Sequence, residues 1–170
     1  GLGGHCIPID PWYLTWKARE FNYHTKLIES AGEINNLMPE YVISRCMQLL
    51  NEEGKALKGA NVLVLGVAYK KDVDDYRESP VIPILKELEK FEADWKVVDP
   101  HVSIFELNGQ NHIGYEETTV EMLASADLVI ITTDHTAFNY RKIADNAKLI
   151  FDTRNSIQKE FITKENYFKL

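Results

Sequence analysis

Cysteine is almost missing from this chain. Cys6 and Cys46 are the only two among 170 residues, so no disulfide framework holds it and it does not read as a small secreted scaffold. Positive charge is also short. Lys and Arg number 19 against 26 Asp and Glu, a net charge of −7, which argues against a nucleic-acid or anionic-membrane surface. An anionic small ligand is still admissible, because a local pocket of Lys and Arg suffices for it. Signal peptide, membrane-spanning run and lipidation motif are all lacking, and the chain is expected in the cytoplasm.

What is present is the composition of a globular protein, 45% hydrophobic and 26% charged, long enough for one good core with an appended helical segment. From Pro11 to Phe21 apolar and polar residues mix at helical spacing, and Asn22-Tyr23-His24 breaks the run. A longer helical run from about Thr25 to Glu53 carries Leu27, Ile28, Ile34, Leu37, Tyr41, Val42, Cys46 and Leu49 at three- and four-residue intervals. Pro39 either kinks it or starts a new helix, and Gly54 stops it. This helix has more apolar surface than a small domain needs, which reads either as a core helix or as a subunit interface.

From Lys58 onward strands and helices alternate. Asn61–Gly66, Trp95–Asp99, Asp127–Thr132 and Lys148–Asp152 are short apolar strands. Helices are expected at Ser79–Phe91, with Ser79 as cap and Pro80 in the first turn, at Thr119–Ser125 and at Ala137–Ala144. The tail from Ser156 to Leu170 is assigned no element. Continuous apolar strands separated by helices mean a parallel sheet covered on both faces. The fold class is α/β: a doubly wound, Rossmann-like parallel sheet (58–170), preceded by a loop and long helices (1–57).

Two stretches carry chemistry. Gly1-Leu2-Gly3-Gly4-His5-Cys6-Ile7-Pro8-Ile9-Asp10-Pro11 puts three glycines, a cysteine and an aspartate on a loop that enters a helix. Glycine lets backbone approach a ligand, and Asp10 is placed to cap the helix. A cysteine beside a helix N-terminus has the setting that favours thiolate; it can equally be a small buried hydrophobe, and spacing leaves both open. The second stretch follows the first strand. Gly66-Val67-Ala68-Tyr69-Lys70-Lys71-Asp72 lacks the Gly-x-Gly-x-x-Gly fingerprint that seats a dinucleotide, so NAD is not expected there in the usual way. It offers instead Tyr69, Lys70 and, further on, Arg77 at the C-terminal end of a strand, where open α/β sheets place ligands. Lys supplies a point charge for phosphate and Arg a bidentate fork; a solvated polar loop has the same appearance.

Gly3-Gly4-His5-Cys6-Ile7-Pro8-Ile9-Asp10-Pro11 resembles the catalytic loop of the UDP-glucose/GDP-mannose dehydrogenase family, the NAD-dependent nucleotide-sugar 6-dehydrogenases. The extension from Trp12 to Glu20 is most similar to the branch acting on UDP-N-acetylglucosamine, with the UDP-N-acetylmannosamine and UDP-glucose branches as alternatives. Gly66-Val67-Ala68-Tyr69-Lys70 with Asp75-Tyr76-Arg77-Glu78-Ser79-Pro80 resembles the family's nucleotide-sugar-binding signature, and Phe151-Asp152-Thr153-Arg154-Asn155 matches a third piece. The resemblance implies that Cys6 captures the C6 aldehyde as a thiohemiacetal that becomes a thioester, with Asp10 orienting water or moving a proton. It implies that Gly3 and Gly4 line the sugar, that Tyr69, Lys70 and Arg154 contact the UDP-sugar, and that Arg77 reaches toward NAD. It also implies a homodimer built through the helix at about 25–53, with Cys46 a packing residue. In the family this loop follows a whole cofactor-binding domain, so these residues are expected to be the back half of an enzyme. NAD would be held mainly by that N-terminal domain, and the chain alone is not expected to turn over.

The remaining candidates read as structural. His101, His112 and His135 have no metal-ligand spacing, and no metal is expected. His5 reads as structural, Asp72-Val73-Asp74-Asp75 as a solvated loop or a brace for the nearby lysines, and Asp134-His135 as a capped turn. A rival of another class is a non-catalytic nucleotide-binding or dimerisation module in which Cys6 is merely buried.

Overall fold

The computed structural model describes residues 1–170 throughout. Helix α1 (Asp10–Arg19) is flanked by Ile9 and has no side-chain cap. The expected Asp10 cap does not form, because the Cys6 carbonyl accepts the N–H groups of Ile9 and Asp10 at 3.1 and 2.8 Å. The resulting turn draws Asp10 into the helix as its first residue, where its charge complements the dipole. Helix α2 (Lys26–Glu52) runs unbroken through Pro39. Proline removes one backbone bond, and the buried Val42, Ile43, Cys46, Leu49 and Leu50 anchor the rear half beyond it. Cys46 is indeed a packing residue, its thiol pushed up to about 12 by burial.

Five parallel strands follow, interleaved with helices: β1 (Asn61–Leu65), α3 (Val81–Lys90), β2 (Asp94–Val98), then, after the hairpin β3 (Ile104–Leu107) and β4 (Gln110–Ile113), α4 (Val120–Ser125), β5 (Leu128–Ile131), α5 (Tyr140–Asn146), β6 (Ile150–Asp152) and β7 (Tyr167–Lys169). The sheet order is β2-β1-β5-β6-β7, every pair parallel. Side chains alternate across it with period two. Val62, Val64, Leu128 and Ile130 join the core under α2 and α3. Leu63, Leu65, Val129 and Ile131 join a second core with Leu123, Ile143 and Ala144 of α4 and α5. The doubly wound expectation therefore holds, and the rear half of α2 is one of its layers.

Further details differ from the sequence reading. Helix α3 is flanked by Pro80 with no side-chain cap, so Ser79 is not at its cap position. The β3–β4 hairpin turns on Asn108 and Gly109, both at positive φ (51° and 77°), as a two-residue primed turn requires. Helix α5 starts three residues later than expected because Asn139 is its cap, accepting the Lys142 N–H at 2.9 Å. The tail supplies the edge strand β7. No helix is long and apolar enough to cross a membrane.

Candidate functional site

Taken in chain order, the sheet's strands lie 2-1-3-4-5, so connections leave β1 and β5 in opposite directions. The crevice beyond the carboxyl ends of such a pair is where open α/β sheets bind ligands. Gly66 ends β1 at φ +93°, and a Cβ there would fall 2.4 Å from Thr133 Cβ; only glycine lets the two strand exits approach this closely. The loop that follows is held by the β5 exit. Thr132 Oγ1 donates to the Gly66 carbonyl at 2.5 Å and Thr133 Oγ1 to the Ala68 carbonyl at 2.7 Å. Thr136 donates its N–H and hydroxyl to the Asp72 carboxylate at 2.8 and 2.6 Å. These bonds, Thr136 before any neighbouring charge, hold Asp72 below the ordinary carboxylate value. Its partner is thus a threonine rather than the adjacent lysines. Tyr69 is half-buried while Lys70 and Lys71 are exposed, two unpaired cations at the mouth of the crevice.

The glycine loop docks against this one. A Cβ on Gly3 would meet the Glu78 carbonyl at 2.4 Å and Tyr69 Cβ at 3.1 Å, and one on Gly4 (φ +95°) would meet the Tyr69 ring at 2.8 Å. The Gly4 N–H donates to the Glu78 carbonyl at 3.3 Å. Asn35 of α2 brackets Leu2, accepting its N–H at 2.6 Å and donating to its carbonyl at 2.9 Å. Gly3, Gly4 and Tyr69 are therefore in one contact set. In this chain Cys6 is an exposed free thiol and Asp10 is exposed one turn on. Asp10 lines a groove of 570 Å³ between α1 and α2 with Ile7, Pro8, Trp12 and Leu27.

Arg77 folds back on its own loop. Its Nε and Nη2 each lie 2.9 Å from the Asp75 carboxylate, which also accepts the Arg77 N–H. The Arg77 side-chain bond first, then its backbone N–H, hold Asp75 down at about 2. His5 Nε2 stands 3.7 Å from the same carboxylate and edge-on to Tyr69. Arg154 lies across the crevice after β6, its Nε 3.3 Å from Asp134 Oδ1. The buried Asp152 shapes that loop by accepting the N–H groups of Arg154, Ser156 and Ile157 and the Tyr167 hydroxyl.

His135, read from the sequence as part of a capped turn, and Asp99, read only as a strand end, sit at the centre. His135, fully buried, accepts the Asp72 N–H at Nδ1 (3.0 Å), so its proton is on Nε2, 3.1 Å from Asp99 Oδ2. Burial pushes the Asp99 carboxyl up, but His135 and the N–H groups of Ala68 and His101 outweigh it and leave Asp99 below its ordinary value. His101 packs beside His135 with ring centroids 4.8 Å apart, so the fold gathers Asp72, His101 and His135, residues far apart in sequence, within 4.8 Å. Both ring nitrogens of His135 are occupied, which makes the group a hydrogen-bonded brace. The sequence signal was the polar run Thr132-Thr133-Asp134-His135-Thr136 directly after an apolar strand.

The residues after β1 do not fit a dinucleotide. Thr133 fills the space beside Gly66, and the next helix begins only at Val81, so the turn out of β1 does not lead directly into a helix N-terminus that could take a pyrophosphate. Comparison with known proteins gives a consistent picture. Residues 63–159 match the profile of the UDP-glucose/GDP-mannose dehydrogenase family, UDP binding domain, and residues 1–37 that of the family's central domain. Over 176 residues the chain is 32% identical to the UDP-N-acetyl-D-mannosamine dehydrogenase of Methanococcus maripaludis, covering 98% of this chain and 38% of that protein. It is 29% identical over 159 residues to the UDP-N-acetyl-D-glucosamine 6-dehydrogenase of Pseudomonas aeruginosa, covering 90% and 37%. Among solved structures, the UDP-D-ManNAc dehydrogenase of Pyrococcus horikoshii superposes with a TM-score of 0.79 at 27% identity, over 99% of this chain and 38% of that one. The chain thus spans 38% of the length of the first of these curated relatives.

Proposed function

The chain belongs to the UDP-glucose/GDP-mannose dehydrogenase family, and on that premise we propose that it is the catalytic-loop and UDP-sugar-binding part of a cytoplasmic, NAD-dependent UDP-sugar 6-dehydrogenase. The observation that carries this reading is the packing of Gly3 and Gly4 on Tyr69, which brings the cysteine loop to the switch point of the sheet. Residues 1–57 supply that loop and the helices; residues 58–170 supply the nucleotide-sugar pocket.

In this reading Tyr69, Lys70 and Arg154 hold the UDP-sugar, the two cations against its diphosphate, and Gly3 and Gly4 line the sugar. NAD supplies the hydride acceptor and is held mainly outside these residues, with Arg77 offered toward it. Cys6 works on the carbon between the two oxidations. Its thiolate adds to the C6 aldehyde, and the alkoxide takes a proton to give a thiohemiacetal, which keeps the aldehyde from escaping. At the thioester stage water adds to the carbonyl carbon, Asp10 accepts its proton, and the Cys6 thiolate leaves with release of the carboxylate. The sugar is a UDP-N-acetylhexosamine. Similarity to the Pseudomonas protein supports the glucosamine form, and similarity to the Methanococcus protein supports the mannosamine form as a second reading.

The test uses the full-length enzyme with each sugar nucleotide. Cys6→Ser is expected to lower carboxylate formation on the order of 10³-fold or more while UDP-sugar still binds, as for other covalent nucleophiles. Unchanged turnover removes Cys6 from the chemistry. A rate with UDP-glucose equal to that with either N-acetylhexosamine overturns the substrate class.

A further inference from the structure

The loop from Gly66 to Asp72 presents Tyr69 and Lys70 without a glycine fingerprint and without a helix behind it. Its shape comes from other strand ends. Asp99, fully buried after β2, accepts the N–H groups of Val67 and Ala68 on Oδ2 at 2.7 and 3.0 Å, and those of His101 and Val102 on Oδ1 at 2.9 and 3.0 Å. His135 donates to the same Oδ2 from the β5 exit and accepts the Asp72 N–H on its other nitrogen. Thr133 takes the Ala68 carbonyl, and the Tyr69 N–H donates to the Asp75 carbonyl at 3.0 Å. The backbone is therefore fixed on both flanks of Tyr69-Lys70-Lys71, while the lysine side chains stay free.

We propose that Asp99 and His135 are positioning residues for the nucleotide sugar, acting through the backbone of the Tyr69–Lys71 loop rather than by touching the ligand. The proposal deepens the reading of Tyr69 and Lys70 as UDP-sugar contacts and rests on it. A loop already held in its binding shape does not lose conformational freedom when the diphosphate arrives. Isolated buried carboxylates are costly, yet this one receives five hydrogen bonds and draws three strand exits, those of β1, β2 and β5, onto one point. The group thus does for this crevice what a glycine-rich turn and helix N-terminus do in a dinucleotide fold.

The experiment compares the chain with His135→Phe, which keeps a ring but makes neither bond, by amide hydrogen exchange and by calorimetric titration with UDP, at a temperature where both are folded. Exchange at the hydrogen-bonded amides of Val67, Ala68 and Tyr69 is expected to quicken at least about 10-fold while the β1 amides Val62–Leu65 are unchanged, and UDP affinity to fall about 10- to 100-fold. Lys70→Ala is expected to weaken UDP strongly in the parent chain and little in the His135→Phe background, because a displaced lysine has little left to lose. A merely structural histidine would lower stability and leave the two losses additive. Unchanged exchange at residues 67–69, or additive losses, overturns the proposal. Equal UDP binding by the parent and Lys70→Ala overturns the reading of the site instead, and the exchange rates still decide whether His135 holds the loop. Thr133→Val, which loses only the Ala68 bond, gives the same comparison should His135→Phe fail to fold.

Discussion

Asp75 joins the two segments of the site, accepting three bonds from Arg77 and facing His5 of the cysteine loop. Its folded value of about 2 lies below the ordinary carboxylate value of about 4. The fold therefore favours the ionised form: the contribution to stability is complete above the ordinary value and is lost as pH falls through about 2. Asp72 and Asp99 are displaced in the same direction. The melting temperature is expected to be flat above about pH 5 and to drop steeply on further acidification; Asp75→Asn should make that drop shallower in scanning calorimetry. An equally steep drop would assign the loss to other groups. At this scale the meeting of Gly3 and Gly4 with Tyr69 was legible in the sequence, since these residues fall in contiguous signatures, as do Cys6, Arg77 and Arg154. Asp99 and His135 were not, because they lie 36 residues apart and meet only when two strand exits converge.

Helix α2 shows how one element can serve two purposes. Its rear half is buried, whereas Leu27, Ile34, Leu37 and Tyr41 are all more than half exposed. Leu27, Ile34 and Tyr41 are seven residues apart with Leu37 three beyond Ile34, a stripe of the kind helices pair through. This stripe is where the homodimer contact expected from the resemblance would lie. Sedimentation should find the chain dimeric at micromolar concentration and Ile34→Glu monomeric with an unchanged circular dichroism spectrum; a monomeric parent chain sinks the assignment. The central strands were readable because β1, β5 and β6 are buried on both faces and so are almost wholly apolar. The hairpin escaped because its eight strand residues include Glu106, Gln110, Asn111 and His112, and its one strong local signal was Asn108-Gly109.

At the scale of the whole molecule, α2 and the sheet are one packed body, for Leu49 and Leu50 share a core with Val62, Leu85 and Phe151. Leu49→Ala should therefore destabilise the chain by about 2–5 kcal/mol in urea denaturation, whereas Ile113→Ala on the exposed hairpin should stay within about 0.5 kcal/mol. A small effect of Leu49→Ala would mean that the helix is an appendage. Pro39 marks the boundary within this body. It deprives the Asn35 carbonyl of its helical donor, and Asn35 is the residue whose side chain grips Leu2. Ahead of that point α2 contributes no buried residue, and from Pro39 onward it contributes six. The front of the helix and the cysteine loop are therefore expected to open as a unit before the sheet does. Sub-global opening there would lift Gly3 and Gly4 off Tyr69, so how long the exposed Cys6 loop stays docked on the sheet is a clock set by the local stability of this segment alone.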